Sequence, residues 1–424
     1  MKDFLESKLM PIASKLAGIK FLIAIRDGIT LAMPLIIIGS LFMVIASFPI
    51  PGWEAWLGDI GVSGYLWKGV DSSFGLMGLV AAFGIARSFS NQHGADGVSS
   101  GIISVSSFIM VTPFVSGETG SGITMGLMGA SGIFVAIIVA LFSAAIFNWF
   151  VANNIQIKMP DGVPPAVTQS FAALLPGAAI ITLWLIVYGV LDAFGLPNMH
   201  QIMQTILGGP LSLLGSNIFG TMIVVGLNSL FWFVGLHGGN TINQLFSPTW
   251  LANLDANVAA RQAGEALPHI ITSPFMDNFV YIGGGGATLG LVIVVAMIAR
   301  RKNASKRSKI MAPLTLTPGL FNINEPTMFG LPVVLNITLL LPFILAPMVN
   351  ALIAYTAMAS GLVPITYVAA SWTMPPIISG FLATGSIMGS LLQVVIIIVD
   401  ILLYLPFYST LEKTFLKDEQ AELG

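Results

Sequence analysis

Long stretches of this chain carry scarcely a charge over about 20 residues, the length an α-helix needs to cross the hydrocarbon core of a bilayer. Residues 124–150 and 331–358 contain no Asp, Glu, Lys or Arg at all. The chain is 55% hydrophobic and 8% charged, with a mean hydropathy of +0.89. Globular domains carry about a quarter charged residues. At membrane depth only helices, or backbone buried within protein, satisfy their peptide groups. The chain is therefore read as an all-α polytopic membrane protein.

Composition removes several function classes. A net charge of −2 argues against nucleic-acid binding. Without cysteine there is no disulfide, thiolate metal site or cysteine nucleophile. His93, His200, His237 and His269 are scattered with no H-E-x-x-H spacing, so no metal site is expected. Gly283–Gly290 is glycine-rich but lacks a following Lys-Ser/Thr. It is read as helix packing, and with no Walker motif the chain is not expected to use ATP or another cofactor.

Apolar runs place about ten crossings, near residues 24–48, 69–86, 98–115, 124–150, 170–196, 213–236, from 238 onward, 279–299, 331–358 and 385–408. With the N-terminus inside, only Lys68 and Arg261 of the 17 basic residues fall outside, as the positive-inside rule requires. Both termini are thus expected in the cytoplasm. Met1–Phe21, charged on both signs, reads as a retained cytoplasmic start.

Two segments fit no simple crossing. Ile310–Asn324 is short and broken by Pro313, Pro318 and Gly319, which suggests a re-entrant hairpin. His237–Asn278 is polar, with Pro248, Pro268 and Pro274. Irregular backbone at membrane depth usually lines a binding cavity. Asn198–Leu214 reads as an amphipathic linking helix. The chain thus divides into residues 1–210, a scaffold rich in helix-packing glycines (Gly75, Gly78, Gly84; Gly126, Gly129, Gly132), and residues 211–424, which hold the re-entrant segments.

The candidate chemistry lies beside those segments. Glu325 is the only acid between Asp277 and Asp400, and a carboxylate among apolar segments is a functional-site hypothesis. Phe231–Asn240 ends a strong helix with Trp232, His237 and Asn240, and Gly238 and Gly239 permit a sharp turn. A lone histidine can equally cap a helix. Its place beside one irregular segment, with Glu325 beside the other, favours the functional reading. Trp372 is a further candidate. Aromatic faces beside amide, carboxylate and imidazole groups suit a sugar. The cations of Arg300–Lys309 are read as a positive-inside signal, or less often as an attractor of a phosphorylated partner.

Leu236-His237-Gly238-Gly239-Asn240, Gly285-Gly286-Ala287-Thr288-Leu289-Gly290 and Asn322-Ile323-Asn324-Glu325-Pro326 together resemble the IIC component of the bacterial phosphotransferase system (PTS), within the lactose, cellobiose and N,N′-diacetylchitobiose family. Met159-Pro160, Val163-Pro164-Pro165-Ala166-Val167 and Phe329-Gly330-Leu331-Pro332-Val333-Val334 extend the resemblance over essentially the whole chain. One departure is Asn336-Ile337, where relatives read Asn-Pro. The resemblance implies a homodimer in the inner membrane, with dimer contacts in the first half and one disaccharide in the second. It implies a cytoplasmic IIB partner that transfers phosphate from a cysteine to the sugar's C6 hydroxyl, so the chain would be the membrane part of a sugar phosphotransferase. The lack of cysteine fits a IIC without a fused IIB. It maps the family's binding His and Glu onto His237 and Glu325. In the mechanism expected from these residues, Asn240 and Asn324 complete the polar rim, Trp232 and Trp372 stack on sugar faces, and Gly238 and Gly239 join the substrate-binding turn. The competing reading is an ion-coupled transporter of unmodified sugar, with Glu325 as the coupling acid.

Overall fold

The structure is a computed structural model, described for residues 11, 14–15, 18–117, 120–160, 162–331 and 333–421. Most of the expected cytoplasmic start, together with Pro332, lies outside the described residues. Among them the regular structure is helical apart from one antiparallel hairpin, β1 (Phe114–Gly117) and β2 (Gly120–Ile123), with Phe114 opposite Ile123. Six helices are long and apolar enough to cross a membrane, or seven if one bent pair is a single span. Two shorter apolar helices, Gly97–Met110 and Leu289–Ala299, stand beside them.

The chain forms two compact units. One takes Ala17–Phe42 and Gly64–Leu211. In it α1 (Lys20–Leu31) and α2 (Met77–Asn91) pack together, and α2 also packs on α3 (Gly97–Met110) and α4 (Ile133–Ala152). α5 (Leu174–Ala193) lies against α3 and α4. Close approach needs small residues: a Cβ on Gly84 would stand 2.8 Å from Gly28 Cα. Gly78 and Gly129 are crowded in the same way, whereas Gly126 faces open space. The core is built on Phe108, Phe134, Val139 and Phe147. α3 stops at Met110, short of the expected 115, because Pro113 and the β-hairpin follow.

The other unit takes Met43–Ser63 and Ser212–Gly424. It holds α6 (Ile218–Phe233), α7 (Gln244–Ala263), α8 (Leu289–Ala299), α9 (Lys306–Leu320), α10 (Glu325–Gly330), α11 (Ile337–Ala359), α12 (Ile378–Thr384) and α13 (Ile387–Ala421). α8 packs on α9 and α13, and α11 on α6 and α13. Its core gathers Trp232, Met328, Phe343, Tyr404 and Tyr408.

Both irregular segments are explained here. α9 ends at a turn, and α10 folds back against it, so the second segment is a helical hairpin. It starts at Lys306 rather than Ile310, because Ser305 caps the helix by accepting from Ser308 N–H. In the first segment α7 is a regular 20-residue helix opened by the π-turn Gly239–Asn243. The chain returns along it, with Asn253 donating to Ile271 O at 2.8 Å and Asn257 to His269 O at 2.7 Å. α8 starts at Leu289 rather than 279 because Gly283, Gly284 and Gly286 all take positive φ. Helix packing therefore does not account for Gly283–Gly286, which form a turn; it does apply to Gly290 in α8. Asn336 caps α11 by accepting from Thr338 N–H at 3.0 Å, so the Asn336-Ile337 departure leaves that helix start intact.

Candidate functional site

The imidazole side of the site begins where α6 stops. Gly235, at φ +85°, reverses the chain, and Gly238 presses so close to Asn228 O that a Cβ there would collide with it. This turn brings His237 back over Trp232, with ring centroids 4.1 Å apart and planes inclined at 42°. Asn240 donates its backbone N–H to His237 Nδ1 at 3.0 Å. Nδ1 is thus the acceptor nitrogen, and in the neutral ring Nε2 carries the hydrogen. That Nε2 faces Glu325.

The carboxylate side is built by the hairpin tip. Asn322 adopts φ +60°, a left-handed conformation that Asn tolerates better than most residues. Its carboxamide accepts from Gly283 N–H and donates to Trp372 O, tying the tip to the glycine turn and to the Trp372 loop. Asn324 is buried and donates to Gly285 O at 3.0 Å. Pro326, with no N–H and a preset φ, suits the first turn of α10. Glu325 is thereby fixed with Oε1 3.7 Å from His237 Nε2. The two side chains are 41% and 48% exposed. The separation exceeds an N–H···O hydrogen bond. A hydroxyl oxygen between the two groups can accept from Nε2–H and donate to Oε1.

The turn Gly283–Gly286 is the wall joining both sides. A Cβ on Gly285 would collide with Trp232 Nε1, and one on Gly286 with the Phe343 ring. Tyr404 donates its hydroxyl to Gly286 O at 2.6 Å. Replacing Asn324 with Leu strands the half-buried Gly285 carbonyl. The expected cost is about 1–3 kcal/mol, read as a lower unfolding temperature in detergent.

The structure therefore brings together His237, Glu325, Trp232, Asn324, Gly238 and Gly239, with Asn240 exposed beside them. Trp372 joins through its backbone, and its side chain is 38% exposed. Two assigned roles need correction. Trp232 is 4% exposed and has the imidazole against its ring, so it backs His237 rather than offering a face to a sugar. Asn324 is likewise buried and serves the wall, not the rim. Sequence reasoning missed Asn322 and the Asn228–Asn243–Tyr281 group, in which Asn243 Oδ1 accepts from Asn228 Nδ2 at 2.8 Å and Tyr281 OH at 3.2 Å. Asn228, the single amide side chain within α6, was the available signal.

Relatives of known class share this chain from end to end. The family model described as phosphotransferase system, EIIC, matches residues 26–347. The chain belongs to the EIIC family of the phosphotransferase system. The lichenan permease IIC component of Bacillus subtilis (strain 168) is 44% identical, over 99% of this chain and 95% of that protein. The cellobiose-specific EIIC component of Geobacillus stearothermophilus is 41% identical, over 99% and 96%. The crystal structure of ChbC, the IIC component of the N,N′-diacetylchitobiose-specific system, superposes with a TM-score of 0.91 at 39% identity, covering 98% of this chain and 99% of that one. This EIIC chain is a multi-pass membrane component of a sugar permease. An EIIC is a part of the phosphotransferase system without being its phosphorylating unit.

The basic run of this EIIC is not a bare patch. Glu419 accepts from Lys306 N–H at 2.7 Å, and buried Glu412 accepts from Ser305 N–H at 2.6 Å and Ser305 Oγ at 2.8 Å. Arg307 lies over the Phe415 ring, 4.9 Å from its centroid. Within this run α13 therefore meets the backbone of Ser305 and Lys306 and the guanidinium of Arg307.

Proposed function

We propose that this EIIC binds a β-linked disaccharide, cellobiose or diacetylchitobiose, carries it inward and presents its C6 hydroxyl to the phosphocysteine of a cytoplasmic IIB protein. The observation that carries the reading is the half-exposed Glu325–His237 pair, held 3.7 Å apart against the glycine wall. The names of the relatives, lichenan, cellobiose and diacetylchitobiose permeases, support the substrate class.

In this mechanism Glu325 accepts the hydrogen of the C6 hydroxyl and aligns it. The C6 oxygen forms its bond to phosphorus as the sulfur–phosphorus bond of IIB breaks, and the proton passes to the carboxylate. Phosphoryl transfer depends chiefly on positioning and charge placement, which a rigid wall supplies. His237 donates from Nε2 to a neighbouring hydroxyl, Asn240 completes the rim and Trp372 stacks on the sugar. Residues 1–210 act as the dimeric scaffold and residues 211–424 as the transport half, with about ten crossings and both termini in the cytoplasm of a bacterial cell.

The test is uptake into proteoliposomes loaded with phosphorylated IIB. Cellobiose or diacetylchitobiose is expected to accumulate only as its phosphate and to be insensitive to a protonophore. Accumulation of unmodified sugar, collapsing with the protonophore, would replace this reading with ion-coupled transport.

A further inference from the structure

A second acid lies inside the same unit, away from the wall. Asp400 stands in the long apolar helix α13, and both it and Asn350 of α11 are fully buried. Asn350 Nδ2 donates to Asp400 Oδ2 at 3.0 Å and to Val280 O at 3.3 Å. Both acceptors lie on the nitrogen side, which fixes the orientation of the carboxamide. Two atoms of the pair have no hydrogen-bond partner, Asp400 Oδ1 and Asn350 Oδ1. Buried acceptors of this kind are uncommon and call for an explanation.

No positive charge is at hand to balance a carboxylate. The elements packed against this part of α13 are α8, α11, α12 and the π-turn Met276–Val280. None of them contains Lys, Arg or His, and α13 itself has none before Lys413. Their titratable groups are Tyr355 and Asp277, the latter accepting from Ser273 Oγ at 3.0 Å. On α13 the nearest is Tyr404, whose hydroxyl is donated to Gly286 O. A metal ion would need room, yet α8 lies so close that a Cβ on Gly290 would collide with Asp400 Cβ. An isolated buried carboxylate is far costlier than the neutral acid, and such a group takes up a proton instead.

We propose that Asp400 is a proton-binding site, an un-ionised acid at neutral pH whose Oδ1–H is donated to Asn350 Oδ1. One hydrogen then satisfies both orphaned oxygens, and acid and amide bond to each other in both directions. Tyr404, one helical turn further on, links this pair to the glycine turn that backs Trp232 and Asn324. The bound proton thus fastens α11 to α13 behind the wall of the Glu325–His237 site.

Infrared difference spectroscopy of the purified full-length protein at neutral pH, parent minus Asp400→Asn, tests this. The parent is expected to show the C=O stretch of an un-ionised carboxyl group, shifted down in D2O and lost in the variant. Because the amide keeps the group neutral and able to donate, sugar binding is expected to be unchanged in Asp400→Asn. Should that variant fail to fold, Asn350→Leu is expected to move the same band to higher frequency by removing its acceptor. Loss of carboxylate bands in place of the un-ionised band overturns the proposal. So does a carboxylate signal that responds to exchange of Na+ for K+, which would assign the oxygens to a metal cation.

Discussion

Glu325→Gln is expected to give a folded permease whose bound sugar is hardly phosphorylated by IIB. The amide keeps the size of the side chain and can still accept a hydrogen bond, but it cannot take a proton. Removing a positioned general base typically slows a reaction by roughly 10²–10⁴-fold. A hydroxyl bonded to a carboxylate rather than to a neutral group also contributes more, so sugar affinity is expected to fall by about 1–1.5 kcal/mol, the difference between the two kinds of bond. Because Glu325 is 48% exposed and buries no network of its own, the unfolding temperature should barely move. Single-turnover transfer from phosphorylated IIB gives the rate, and calorimetric titration with cellobiose or diacetylchitobiose gives the affinity. Transfer at the parental rate would remove Glu325 from the chemistry.

Gly285→Ala is expected to damage stability and binding together. The new methyl would occupy the position of Trp232 Nε1, and the indole cannot retreat freely because it is buried with His237 against it. Overpacking a dense interior costs about 1–3 kcal/mol. Displacing the indole also shifts the imidazole, and with it the 3.7 Å separation from Glu325. A lower unfolding temperature should therefore accompany weaker sugar binding. Gly126→Ala is the control, since its Cβ would meet nothing within 4 Å. If Gly285→Ala behaves like that control, the wall is softer than the geometry implies.

How far could the sequence be read? Glu325 and His237 stood out because a charge or an imidazole among apolar segments has few inexpensive places to be. The hairpin at α9 and α10 was legible because its apolar run is too short to span and is interrupted by prolines. The wall between the two groups was not. Four consecutive glycines before an apolar helix look the same whether they admit a neighbouring helix or form a turn. Only the contacts with Trp232, Asn322 and Phe343 distinguish the two. Trp232 suggested a sugar platform because sequence reports that an aromatic is present, not which of its faces is already covered. Asn322 escaped notice because its function lies in its backbone conformation and in partners 39 and 50 residues away. α7 looked irregular because Pro248 and several polar residues interrupt its apolar pattern. Its asparagines are instead spent on the returning chain.

The grip of α13 on the start of α9 has a practical side for anyone shortening this protein. Glu412 and Glu419 hold the leading backbone N–H groups of the helix whose far end carries the Glu325 turn. Trimming the tail back past Glu412 would unfasten that helix at its root, the full 15 residues of α9 away from the turn that carries Glu325. A shortened protein would then insert and look intact on a gel, yet lose sugar because its hairpin no longer stands at a fixed height.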